Sequence, residues 1–197
     1  GGITINSTAA GTGVSIGGNG GTSTLTSAVG ITAGAIGFSS GVLTLNRINQ
    51  TGTGAIAITL TGSSHLSHDG GVLNGVFTAS SPTTYMNNIT FNDDFTLTTG
   101  TMTFNGISIG GTSTITTSVA GIGSGANTFN GVCSIDHSGS SPFDMGSGSP
   151  HVFNSSLTLL NAGSSIIRIA DSGTGHQFKG GITINSTAAG TGVSIGG

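Results

Sequence analysis

Few side chains in this 197-residue chain can do chemistry, so their spacing decides what is possible. His65-Leu66-Ser67-His68-Asp69 gathers residue types that bind zinc or another transition metal. On a strand, residues three apart face opposite sides, so only a turn would bring the two rings together. No third or fourth ligand follows at a recognised spacing, and the expectation is an exposed turn. Asp93-Asp94, between Phe91 and Phe95, could hold calcium or act as an acid/base pair. Adjacent strand carboxylates diverge, however, and calcium takes six or more oxygens. The G-G-x-G-x-D signature of calcium-binding solenoids does not occur, so a solvated turn is expected. Asp136 adjoins His137, but Ser138 and its neighbours read as a Gly/Ser turn, and a hydroxyl nucleophile needs a placed histidine and an orienting acid. Cys133, the single cysteine, stands between Val132 and Ile135 in a strand-like run and reads as a small buried hydrophobe.

Parallel β-helices include polysaccharide-cleaving enzymes, whose work needs convergent carboxylates or a base beside charge-stabilising cations. Here Asp69, Asp93, Asp94, Asp136, Asp144 and Asp171 are scattered, as are Arg47, Arg168 and Lys179. The expectation is no catalytic residue, no metal ligand and no cofactor. With net charge −3 and three cations there is no electrostatic footprint for nucleic acid. No apolar run approaches the twenty or so residues of a membrane span. Thr22-Ser-Thr24-Leu-Thr26 and Thr112-Ser-Thr114-Ile-Thr116 put alternate threonines on one face, as ice-binding solenoids do. These runs occur about twice in the chain instead of on every turn, which speaks against a wide threonine plane. Sugar platforms usually stack on exposed Trp or Tyr, and this chain has no Trp and one Tyr. A glycan site would have to use polar faces or irregular loops at 138–150 and 80–88, where Pro82, Pro142 and Pro150 lie among Ser and Gly.

The elements that hold these residues must be strands. Gly, Ser and Thr fill about half of the chain, there is no Glu, and Lys occurs once, so straight-chain helix formers are nearly absent. Ile, Leu, Val and Phe still make up about a quarter, and low net charge with that much apolar content is the reverse of a disordered segment.

The strands repeat on two scales. Residues 1–18 (GGITINSTAAGTGVSIGG) return unchanged as residues 180–197, an offset of 179. This makes 1–179 one higher-order period and 180–197 the start of the next identical one. Within it, Phe104-Asn105-Gly106, Phe129-Asn130-Gly131, Phe153-Asn154-Ser155 and Phe178-Lys179-Gly180 each precede an alternating strand, their phenylalanines recurring at intervals of 25, 24 and 25. Residues 20–31 echo 110–122. From about Ile48 to Asp94 the alternation persists but the spacing fails, and longer or misshapen turns are expected there.

Short alternating strands in units of about 25 residues predict an all-β, parallel β-solenoid. Phe104, Phe129, Phe153 and Phe178 would form an interior ladder, roughly 4.8 Å per turn. About seven turns would complete one period. An array of β-sandwich domains is the alternative, but it calls for strands every 8–12 residues and a core Trp or a tyrosine corner.

The phrases Asn127-Thr128-Phe129-Asn130-Gly131, SSIIRIA at 164–170 and HQFKGG at 176–181 followed by Ile182-Thr183-Ile184-Asn185-Ser186-Thr187 resemble the tandem units of very large secreted surface proteins of Bacteroidota, exported by type IX secretion. The resemblance covers 104–197 and 1–46 most clearly. It implies secretion and a cell-surface or extracellular role, and it carries over no catalytic residue.

The resulting expectation is a structural repeat segment of an extracellular fibre or cell-surface filament, supporting adhesion or gliding. Its partners would be further copies of the same repeat, in one chain or stacked head to tail, with lateral bundling. A glycan-binding adhesin module, an ice-binding solenoid and a polysaccharide-degrading β-helix are the alternatives.

Overall fold

The computed structural model describes residues 3–5, 13–17, 23–25, 31–38, 41–146, 149–187 and 192–196. Thr22 and Thr26 of the first threonine run lie outside them. Among the described residues there is no helix, and the strands pair in parallel with those one turn away, so the chain is a parallel β-solenoid. The antiparallel pairing of a β-sandwich array does not occur among the described residues.

Each turn has three faces. In the middle of the chain they are 95–99, 101–105 and Ser108–Ile109. Alternation sorts the side chains as expected: Phe95, Leu97, Met102 and Phe104 are buried, whereas Thr98 and Asn105 are exposed.

Hydrogen-bonded partners along the first face lead from Thr4 through Thr32, Ala57, Thr78, Thr96, Thr114, Ser134 and Thr158 to Thr183. Along the second they lead from Ser15 through Thr44, Ser67, Tyr85, Thr103, Ile122, Asp144 and Arg168 to Ser194. Both ladders take eight steps, one more than the seven turns expected. Thr183 and Ser194 stand at the 179 offset from Thr4 and Ser15, so each ladder ends on the same residue of the repeated sequence from which it began. At the spacing of paired strands, eight steps advance about 38 Å.

Turn length is not constant. The ladder step is 28 from Thr4 to Thr32, 18 from Thr78 to Thr96 and again from Thr96 to Thr114, and 25 from Thr158 to Thr183. The expectation of longer or misshapen turns between Ile48 and Asp94 is therefore corrected, since much of this stretch forms the shortest turns. Phe77–Phe91 is a continuous strand of 15 residues that passes Pro82 at one corner, so 80–88 is no irregular loop. The 138–150 segment likewise carries the strand Phe143–Met145.

Phe129, Phe153 and Phe178 stack on the third face with ring centroids 4.9 and 5.3 Å apart and planes within 4°. Phe104 stands elsewhere, on the second face, where its ladder neighbours are Met86 and Gly123. The third-face column instead runs Leu73, Phe91, Ile109, Phe129. The reason is that Phe-Asn-Gly is a corner signature used at two corners. Phe104-Asn105-Gly106 turns from the second face to the third, and Phe129-Asn130-Gly131 turns from the third to the first. At the former corner, Gly106 takes φ 67°, as do Gly125 one turn on (φ 69°) and Gly70 two turns back (φ 70°), and Asn88 between Gly70 and Gly106 bears the same left-handed conformation at φ 53°. The preceding residues form an amide ladder: Asn105 Nδ2 donates to Asn87 Oδ1 (2.7 Å), and Asn87 Nδ2 to Asp69 Oδ1 (2.6 Å).

Candidate functional surfaces

A buried polar column lines the corner between the first and second faces: Ser81, Thr99, Thr117, His137 and Asn161, each the ladder partner of the next. These residues close the corner loops. Ser81 Oγ donates to the Thr83 carbonyl (2.7 Å) and Thr99 Oγ1 to that of Thr101 (3.0 Å). Where the loop is longer, a longer side chain spans it. His137 Nε2 donates to the Ser141 carbonyl (2.9 Å), which leaves Nδ1 to accept from the Thr117 hydroxyl (2.8 Å). Asn161 Nδ2 donates to the Ser165 carbonyl (2.9 Å) and to that of Gly192 (3.1 Å). Burial pulls the His137 pKa below its usual value against the opposing pull of the Ser141 carbonyl and Asp136. The Asp136-His137 pair is thus divided between the outer surface and a structural corner.

A second column, buried at Asn127 and His151 and half-buried at His176, precedes the third face. The Asn127 backbone N–H donates to His151 Nδ1 (3.3 Å), and the His151 backbone N–H to His176 Nδ1 (3.1 Å). Burial, aided by the nearby His176, lowers His151 to about 4.

The His65–Asp69 segment lies within the strand His65–Leu73, not in a turn. His65 is outside, its ring 6.3 Å from that of Tyr85. His68 is inside, 1% exposed, between the ladder partners Leu45 and Met86 and edge-on to Phe91 at 6.2 Å. Neither His68 ring nitrogen has a hydrogen-bond partner, and desolvation pushes its pKa down to about 3. Among the described residues no three His, Cys, Asp or Glu side chains gather as a metal set.

Asp93 and Asp94 occupy the turn between Phe77–Phe91 and the strand Phe95–Asn105, and Asp94 Oδ1 accepts from the Thr112 backbone N–H of the next turn (2.8 Å). Cys133 is fully buried and its thiol is pushed up to about 12, the state of an inert core residue. On the second face Arg168 contacts Asp144 (3.6 Å) and Asp171 (3.5 Å) beside a groove of about 370 Å³ lined by Ala120, Ile122, Ser141 and Pro142. These two carboxylates are held by a cation at the surface, an arrangement suited to clamping neighbouring turns together.

The first face carries what the threonine motifs only hinted at. Its outward positions form one column of Thr78, Thr96, Thr114, Ser134, Thr158 and Thr183, and another of Thr59, Ser80, Thr98 and Thr116. The hydroxyl rows therefore fall on successive turns and not twice per period. Their grid is about 4.8 Å between turns and about 6.7 Å along a strand. Thr158, whose own segment has no Thr-x-Thr pattern, joins through ladder register alone, a signal that needs the turn lengths to be known.

At the C-terminal side the last described turn presents Gln177–Phe178, Ile182–Ser186 and Val193–Ile195. Ile182 and Ile184 are 38% and 48% exposed, whereas Leu157 and Leu159 directly beneath them are at most 1% exposed. No protein-family model, no curated protein sequence and no solved structure matches this chain.

Proposed function

We propose that this chain is a structural repeat segment of an extracellular fibre or cell-surface filament, with further copies of itself as its partners. The observation that carries this reading is the closure of two separate hydrogen-bond ladders at an offset of 179, the same offset at which the segment 1–18 recurs in the sequence. A unit whose axial advance coincides with its sequence period can be added end to end without a new kind of contact. The polar side chains described above serve corners, ladders and the core, which agrees with a scaffold rather than a catalyst. Secretion and a role in adhesion or gliding rest on the resemblance to Bacteroidota surface repeats, and low charge with a Ser/Thr surface suits lateral bundling. The test is a tandem chain with residues 1–179 placed twice before 180–197. Small-angle scattering and electron microscopy should show a single rod lengthened by about 38 Å per added period. Two compact bodies joined flexibly would refute the proposal.

A second reading has its own observation, the hydroxyl grid on successive turns of the first face. Such a grid can order water, and it makes ice binding the strongest alternative. Glycan binding would draw on the exposed Tyr85 and its neighbour His65. Thermal hysteresis and ice-recrystallisation assays decide the second reading; activity that survives Thr96→Lys with Thr114→Lys would refute the grid as its site.

A further inference from the structure

We infer that the second face is a binding site for a neutral saccharide chain lying along the solenoid axis, anchored in the groove beside Ile122 and on the ring of Tyr85. The groove has its cause in the corner that leads onto this face. That corner takes three residues from Thr99 to Met102, four from Thr117 to Gly121 and six from His137 to Phe143, all between ladder partners. The longest of these loops is still tied to the turn beneath it. The Ser141 backbone N–H donates to the Val119 carbonyl (3.1 Å), and the Gly121 N–H to that of Pro142 (3.2 Å). Its surplus chain must stand outward, and Ser141-Pro142 walls a groove of about 370 Å³ over Ala120 and Ile122. A mostly apolar concavity of this size with a few polar groups is suited to a small ligand or one unit of a larger one.

The lining selects the ligand's chemistry. The outward column runs Tyr85, Thr103, Ile122, Asp144, Arg168, and Ile122 is 47% exposed on it. An outward isoleucine beside the exposed Val119 gives nothing to the core and leaves apolar surface for a ligand's C–H groups. Asp144 accepts and Arg168 donates, 3.6 Å apart, so two neighbouring hydroxyls can give a hydrogen bond to the one and take one from the other. Ions fit poorly. An anion would meet Asp144 and Asp171 around a single guanidinium, and a cation would meet that guanidinium between them. A sugar ring, neutral, with a C–H face and vicinal hydroxyls, satisfies both kinds of wall.

Tyr85 supplies the second anchor, two ladder steps or about 10 Å from Ile122. It too is 47% exposed, and the ring of His65, its diagonal neighbour, lies 6.3 Å away within 23° of parallel. Thr83, Thr101 and Thr103 set hydroxyls around this aromatic plate. Two anchors on one column align the ligand with the axis. The column points sideways, so turns added at either end would leave it open.

This binding function stands beside the scaffold reading and does not depend on it, since a chain that forms no rod can still bind. The sequence has one tyrosine and no tryptophan, so ultraviolet emission reports Tyr85 directly. The full chain is titrated with soluble xylan, mannan, β-glucan and galactan, and with alginate as an acidic control. The expected result is a saturable change in Tyr85 emission with at least one neutral polysaccharide and none with alginate. In affinity electrophoresis, Tyr85→Ala and Ile122→Asp should each weaken that binding about tenfold or more, whereas Thr96→Lys with Thr114→Lys on the first face leaves it unchanged. Both second-face substitutions are outward, and denaturant midpoints establish that the variants are folded. Binding to none of the neutral polysaccharides, or equal binding to alginate, overturns the site. Affinity that survives either second-face substitution overturns its two anchors, and affinity lost with the first-face pair places binding on the hydroxyl grid instead.

Discussion

Replacing His68 with methionine should stabilise the solenoid, and increasingly so in acid. His68 is sealed between Leu45 and Met86 with Phe91 beside it, and neither ring nitrogen finds a partner. A buried polar group left unpaired costs about 1–3 kcal/mol, and methionine, already present one tier on, fills a similar volume without that cost. The acid effect follows from linkage. In the folded chain the imidazole titrates at about 3, against an ordinary value of 6.5 once unfolded. Between those values the unfolded chain binds the extra proton, so stability falls as pH drops below 6.5 and the loss is complete below about 3. At about 1.36 kcal/mol per unit, the wild type should lose about 3 kcal/mol through this residue between pH 8 and pH 4. His137 and His151 also resist protonation, but they are present in both chains and cancel in the comparison. Guanidinium unfolding at pH 8 and pH 4 measures the effect. The variant should be more stable at pH 8, with a gap about 3 kcal/mol wider at pH 4. An unchanged gap between the two pH values, or a less stable variant at pH 8, would show that His68 is hydrated or paired in solution.

Three further outcomes follow from particular contacts. Gly121→Val should destabilise by about 3 kcal/mol or more, because a Cβ there would stand 2.2 Å from the Phe143 ring, and denaturant midpoints will register it. Asn161→Ala removes two donors to the Ser165 and Gly192 carbonyls, so it should cost about 2 kcal/mol and speed hydrogen exchange in the strand Val193–Ile195 ahead of the centre of the chain. Cys133, buried and kept as a thiol, should resist iodoacetamide at pH 8 in the native chain and react within minutes in denaturant; rapid native labelling would contradict its burial.

Much of the fold was legible because alternation is a local property. Which of Phe95, Thr96, Leu97 and Thr98 points inward follows from the two-residue period of a strand, whatever the turn length. The placement of each strand relative to its neighbours was less legible, because register depends on how much chain each corner consumes. Phe104 and Phe129 are separated by what looks like one period and carry the same Asn-Gly sequel, yet one full turn from Phe104 ends at Gly123. The remaining stretch, from Gly123 to Phe129, leads on to another face. Shared corner chemistry thus imitated a turn. The threonine grid was hidden for the same cause: Thr78, Thr96 and Thr114 align at intervals of 18, whereas Ser134 and Thr158 need intervals of 20 and 24. The inward histidines gave a weaker signal. In the sequence His137 is only the neighbour of Asp136 beside a Gly/Ser turn, and nothing local announced that its ring would point inward and bridge the loop to Ser141.

The unequal turns have a consequence for any bundle this chain forms. The first-face strands pair over five residues both in the turn from Thr78 to Thr96 and in that from Thr158 to Thr183, so the additional residues of the longer turn lie in its corners and broaden the outline of each period toward its C-terminal side. Repeated about every 38 Å, that gives a filament with regularly spaced waists. Neighbouring filaments of this outline pack most closely when the waist of one receives the swelling of the next, a fixed axial stagger. Shape alone would then fix the axial alignment of the bundle, a task for which a surface this poor in charge has few other means.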